Sequence, residues 1–201
     1  MSPTVTYKVQ LKDKNDVQYW EEDPVRPYID NNEDFIAYNV DHISALKALD
    51  STVLIDNIIS YVKGYYTVGD GGGGQFYWDA SSSESDNGGT VILPTGHMGS
   101  GRWVKITKGI ITTKDFGCFG DGVSDDTTNF QSALDYIAIS KDKLIGIPGE
   151  TYLHSMLLIK NGTTEIDLSM STLKPDGTTD PDNITTEASI VPLRIVTGKH
   201  R

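Results

Sequence analysis

The chain holds a single cysteine, Cys118, among 201 residues. A lone thiol excludes an internal disulfide framework and fits synthesis in a reducing cytoplasm. Basic runs are missing as well. Lys and Arg number 17 against 28 Asp and Glu, a formal net charge of -11, so no phosphate-tracking surface and no nucleic-acid partner are expected. Long apolar runs are absent, stretches such as Met156 to Ile159 being far too short to span a bilayer. Met1-Ser-Pro-Thr has neither the basic nor the apolar region of a signal peptide. Neither a membrane partner nor secretion by that route is expected, and the sequons at Asn161 and Asn183 carry no weight. His42, His97, His154 and His200 stand scattered without ligand spacing, and Cys118 has no nearby partner of nucleophile type. No metal, no cofactor and no acyl-transfer site is expected from them.

Glycine, by contrast, is abundant at 20 residues, and the hydrophobic fraction is 37%. Short strand-like runs between Gly-rich and polar turns predict a mainly β protein with short helices, of a length for one ordinary domain or two small ones. The acidic balance serves solubility first.

From Thr4 to Leu11 the residues alternate, with Val5, Tyr7, Val9 and Leu11 on one face, which predicts a half-buried strand. Lys12 to Asp34 is polar and acidic, interrupted by Pro24 and Pro27 and anchored by Tyr19-Trp20, and reads as an arm. The strand then has no obvious local partner. Near Asp41 the spacing of Ile43, Leu46 and Leu49 predicts a short helix capped by Asn39 or Asp41. Val53 to Ile59 fits strand or helix equally. Runs at Tyr65 to Val68, Gln75 to Trp78, Thr90 to Leu93 and Arg102 to Ile106 have the rhythm of a small antiparallel sheet.

Beyond it, Phe130, Ala133, Leu134, Ile137 and Ala138 recur at helical spacing and give one apolar face about three turns long. Asp125 or Asp126 is the expected helix cap. Upstream, Gly117, Gly120 and Gly122 are expected to break regular structure. Downstream come Ile145-Gly-Ile-Pro-Gly149 and the short runs Met156 to Ile159, Thr164 to Leu168, Ser171 to Lys174 and Ile190 to Val196.

Asp115-Phe-Gly, Gly120-Asp-Gly, Asp125-Asp126-Thr, the helix, Ile147-Pro-Gly and Thr151-Tyr152 together resemble the start of right-handed parallel β-helix proteins of the pectate-lyase-like group, bacteriophage tailspikes among them. In that family the helix plugs the open end of the β-helix. Residues Tyr61 to Ile106 resemble the particle-side domain of phage tailspikes. The resemblance implies three parts: a docking strand and arm over 1–34, a small antiparallel-sheet domain over 35–109, and a capping helix with the first coils of a right-handed parallel β-helix over 110–201. At roughly 20 to 30 residues per coil there is room for about two turns.

It also implies a structural virion component assembled in the host cytoplasm. Such a component attaches the spike to a tail or baseplate protein or to another tailspike, forms a homotrimer, and serves recognition of a bacterial surface polysaccharide. Val5, Tyr7, Val9 and Leu11 are the candidate docking residues. The alternatives are the front of a capsule or lipopolysaccharide depolymerase, or a carbohydrate-binding module.

Asp70 and the four glycines after it lack the Gly-Lys-Ser/Thr of a phosphate loop and fit a hairpin connection. Asp121, Asp125 and Asp126 form the densest carboxylate cluster and invite a glycoside-hydrolysis or calcium reading. One is wanted as the cap, another sits in a Gly turn, and no catalytic residue is expected. Among Tyr65, Tyr66, Phe76, Tyr77, Trp78 and Trp103, alternation puts Phe76 and Trp78 together in a core, leaving Tyr66 and Tyr77 as the better exposed candidates for stacking a sugar.

Overall fold

Alternation at the N-terminus produces a hairpin: β1 (Val9–Lys12) pairs antiparallel with β2 (Gln18–Glu22), Val9 opposite Glu22 and Leu11 opposite Trp20. The expectation that this strand lacks a local partner is corrected, because part of the acidic arm turns back and satisfies one edge of β1. The computed structural model describes residues 9–12, 18–22, 37–163, 165–177, 184–186 and 194–197. Val5 and Tyr7 lie outside them. The hairpin belongs to one compact unit, Met1–Ile36, and everything below to a second, Ala37–Arg201.

The second unit opens with β3 (Ala37–Val40), the five-residue helix α1 (Ile43–Lys47), β4 (Ile59–Val62), β5 (Gly74–Asp79), β6 (Val91–Ile92) and β7 (Arg102–Lys105). The sheet order is β3-β4-β5-β7-β6. β3 runs parallel to β4 and the other pairs are antiparallel, so the sheet is mixed where an antiparallel one was expected. Its core is Ile43, Leu46, Val62, Phe76, Trp78, Ile92 and Trp103, with the two indoles edge to face at 5.5 Å.

Two local expectations fail for electrostatic reasons. His42 caps α1, its Nδ1 accepting the Ala45 N–H at 3.1 Å, because Asn39 lies within β3 and Asp41 is paired with Lys63 at 2.7 Å. Tyr65 to Val68 is a loop, because the Asp70 carboxylate accepts the N–H groups of Tyr65, Tyr66, Thr67 and Gly72 at 2.7 to 3.0 Å and curls the chain around itself. The strand of this region lies earlier, at β4.

After the sheet come β8 (Ile110–Thr112), a 3-10 turn at Thr113–Phe116, β9 (Asp121–Asp125) and α2 (Thr127–Ser140). They are followed by β10 (Lys143–Ile145), β11 (Thr151–His154), β12 (Leu157–Ile159), β13 (Glu165–Leu168), β14 (Thr172–Pro175), β15 (Ile184–Thr186) and β16 (Arg194–Thr197). Three parallel stacks result: β8-β10-β13-β16, β9-β11-β14 and β12-β15. Each face of the coil therefore continues in the next, the arrangement of a parallel β-helix. Ile111, Leu144, Ile166 and Ile195 occupy successive rungs. Gly120 to Gly122, expected to be irregular, lead instead into β9, which pairs with β11 through a register shift.

In the first turn α2 follows β9 where later turns have a third strand. It buries Phe130, Ala133, Leu134, Ile137 and Ala138, the five residues of its apolar face, and the first four of them share one cluster with Ile111, Leu144, Tyr152, Leu157 and Ile166. Each fully buried Leu, Ile or Phe contributes about 1.5–3 kcal/mol, and the end of the β-helix core is covered.

Candidate functional site

The carboxylates with the most chemical promise are bound by their own turns. Asp121 Oδ1 accepts the N–H groups of Val123 and Ser124 at 2.8 and 2.7 Å, and Oδ2 accepts the Ser124 hydroxyl. Asp125 accepts the Thr127 N–H at 2.9 Å and the Thr127 hydroxyl. These bonds hold Asp121 and Asp125 below the usual carboxylate range. Asp126 sits at the position before α2, but its carboxylate is turned back to accept from Phe119 N–H at 2.6 Å and Gly120 N–H at 3.0 Å. Burial raises its pKa despite both bonds. Asp125 therefore makes the side-chain contact to the first helical amide, and Asp126 pins the chain that leads into β9. General acid and base work needs carboxylates aimed at a reactant, and these three are aimed at backbone amides.

The densest set of specific contacts lies where the small sheet meets the β-helix. Lys105 at the end of β7 is paired with Asp115 at 2.9 Å, and its ammonium lies 5.1 Å from the Phe76 ring centre. Phe116 packs on Gly89, where a Cβ would approach the ring to 2.6 Å. Tyr65 donates its hydroxyl to Gly88 O at 2.7 Å, and burial pushes its pKa up to about 12. Tyr66 stacks on Phe119 with ring centres 4.8 Å apart and planes at 8°. The Tyr66 hydroxyl and Asn129 Nδ2 both donate to Gly117 O, at 3.0 and 2.8 Å. Lys114 bridges Glu150 at 2.9 Å and donates to Phe119 O at 2.7 Å. Cys118 is buried here, and burial raises its thiol pKa.

Of the aromatic candidates, Phe76, Trp78 and Trp103 are core and Tyr77 is half-buried. Tyr66 keeps 44% exposure, but Phe119 already covers one face of its ring. Val9 and Leu11 lie in β1, and Val5 and Tyr7 fall outside the described residues. Among the described residues no group of three His, Cys, Asp or Glu is placed to hold a metal ion, and no helix is long and apolar enough to cross a membrane.

A groove of about 750 Å³ runs between the small sheet and the outer face of α2, lined among others by Glu84, Val104, Tyr136 and Ile139. Several of its polar wall groups already have partners: Asn87 Oδ1 accepts three amides, Asp135 pairs with Lys160, and Tyr136 donates to Asp142. Pattern reading did not single out Lys105, Asp115 or Phe119 for these contacts. Lys105 ends β7, Asp115 lies in the 3-10 turn and Phe119 follows it, and nothing periodic marks a pairing between such separate positions.

Residues 39–108 match the family model of the phage tail protein small four-stranded β-sheet domain. The strands wholly inside that range are β4, β5, β6 and β7. Over 83 residues the chain is 36% identical to a Mu-like prophage FluMu defective tail fiber protein of Haemophilus influenzae, covering 41% of this chain and 13% of the relative. Among solved structures, full-length tailspike protein 2 of an Escherichia coli O157:H7 bacteriophage aligns over 97% of this chain and 27% of that one, with TM-score 0.64 and 21% identity. A tailspike from Acinetobacter baumannii bacteriophage Fri1, a capsular polysaccharide depolymerase, aligns over 69% of this chain and 23% of its own, with TM-score 0.54 and 22% identity. The chain thus spans about a quarter of these tailspikes. Over residues 39–108 the chain is similar to the small β-sheet domain of phage tail proteins, and it shares with these tailspikes the fold of the start of a parallel β-helix.

Proposed function

We propose that this chain is the particle-side part of a phage tailspike, a structural virion component that joins the spike to a tail or baseplate protein or to another tailspike. One observation supports this above the rest: a tail-protein sheet domain and a plugged β-helix start share one compact unit, with a buried ion pair and stacked aromatics at their seam. Such a unit is built to hold a longer spike in a fixed direction. Attachment runs through the N-terminal hairpin. Among the described strands its sheet has only two, so β1 and β2 each present an outer edge, and an added strand from a partner would pair with it. The candidate docking residues are Val5, Tyr7, Val9 and Leu11, by their alternation in the sequence. Three chains associate, as the resemblance to tailspikes implies.

Removing residues 1–34 tests the attachment. The shortened protein is expected to stay folded and trimeric yet no longer join its virion partner. Unchanged joining would move the contact to the small sheet. Sedimentation at micromolar concentration showing only a 22.0 kDa species would remove the trimer.

On this reading the chain catalyses no polysaccharide cleavage, because the acid cluster is consumed in turns. The rival reading, a front part of a depolymerase, draws on the Fri1 tailspike's activity. Turnover of a capsule or lipopolysaccharide by the purified chain, lost in Asp125→Ala or Asp126→Ala without unfolding, would establish the rival.

A further inference from the structure

β11 alternates half-buried and buried residues, which places His154 on the same inward side as Tyr152. The His154 side chain is 2% exposed, and its Nδ1 has no hydrogen-bond partner. A neutral imidazole tolerates an unpaired ring nitrogen at modest cost. An imidazolium carries a donor on both nitrogens, and burying it requires an acceptor for each.

β11 is the middle strand of its face, flanked by β9 and β14. Two carboxylates act on His154: Asp125 of β9, whose residue is in register with Leu153, and Asp176 just past β14, whose N–H donates to His154 O at 2.9 Å. Both attract a proton to the ring. Burial outweighs them and keeps the ring's pKa below the ordinary histidine value. The other charged groups on the adjacent strands are bound elsewhere. Asp121 accepts from Val123 and Ser124, Asp126 accepts from Phe119 and Gly120, and Lys174 Nζ donates to Gly122 O at 2.9 Å.

We propose that His154 is an acid-sensitive latch of the β-helix: in its neutral form it lets β9, β11 and β14 stack closed, and taking up a proton releases this face of the coil. The open face binds the proton with ordinary affinity and the closed face resists it. The equilibrium for opening therefore grows as pH falls below about 6.5, by at most about tenfold per pH unit for one proton.

Hydrogen exchange read by mass spectrometry on the full chain tests this. Peptides covering 121–125, 151–155 and 172–176 are compared with a reference peptide over β5, from pH 7.5 to 5.5, after correction for the intrinsic exchange rate. Protection of the three strands is expected to fall about tenfold further than that of β5, and His154→Gln is expected to abolish the difference. A parallel loss of protection in both regions of the wild-type chain overturns the latch, whether or not the variant folds. So does an unchanged pH response in a folded His154→Gln protein.

Discussion

Lys105 Nζ and Asp115 Oδ1 meet at 2.9 Å with side chains only 8% and 11% exposed, joining the last long strand of the small sheet to the first turn of the β-helix. Asp115 also accepts the Thr112 N–H at 2.7 Å, so one carboxylate fixes both the seam and the turn. Breaking a buried pair from one side strands the other charge, at a cost of about 3–5 kcal/mol. Asp115→Ala is expected to lower stability by that amount in urea unfolding. Combining Lys105→Met with Asp115→Leu is expected to cost less than half as much. An equal loss in both proteins would show that the charge is not stranded.

Asp125 and Asp126 are neighbours with different tasks, and substitution separates them. Asp125→Ala removes a contact to an exposed helix start, expected to cost about 1 kcal/mol. Asp126→Ala leaves the Phe119 and Gly120 amides unpaired in a buried place, expected to cost about 2–4 kcal/mol. Thermal unfolding of the two variants side by side gives the order, and a reversed order would return the capping task to Asp126.

Gly117 has φ +76, and a Cβ there would overlap the Tyr65 ring. Gly149 has a similar φ of +82 with nothing within 4 Å. Gly149→Ala is expected to cost about 1 kcal/mol from backbone strain alone. Gly117→Ala adds the displacement of Tyr65 and is expected to cost about 3 kcal/mol or more. Loss of Tyr65 burial should appear as a shift of its phenol titration down from about 12.

Asp70 titrates against stability in the acid range. Burial alone would raise its pKa, but the backbone N–H groups it accepts prevail and lower it. A carboxylate with a depressed folded pKa stabilises fully above its unfolded pKa, and that contribution is lost as pH falls through the carboxylate range. Asp70→Asn is expected to cost about 1–2 kcal/mol at neutral pH and to unfold with a shallower acid dependence than wild type. Identical acid slopes would show that the loop does not use the charge.

The apolar face of α2 was legible residue by residue, because helical periodicity is a local signal and the same five side chains are buried. The small sheet was legible at Gln75 to Trp78, Thr90 to Leu93 and Arg102 to Ile106, which contain or overlap β5, β6 and β7, and Met156 to Ile159 contains β12. Alternation within each run and the turn residues between them determine those strands with no knowledge of what they pack against. Tertiary structure decided the rest. Tyr65 to Val68 has the composition of a strand, but one carboxylate from Asp70 outbids a ladder for its amides. Gly120 to Gly122 has the composition of a turn, yet the chain there enters a strand because β11 lies alongside to pair with it. Asp125 and Asp126 are equivalent as caps until desolvation and the Phe119 and Gly120 amides distinguish them. The Tyr66–Phe119 stack joins residues 53 positions apart, and no local pattern announces such a contact, since its stabilisation exists only once the two faces have met.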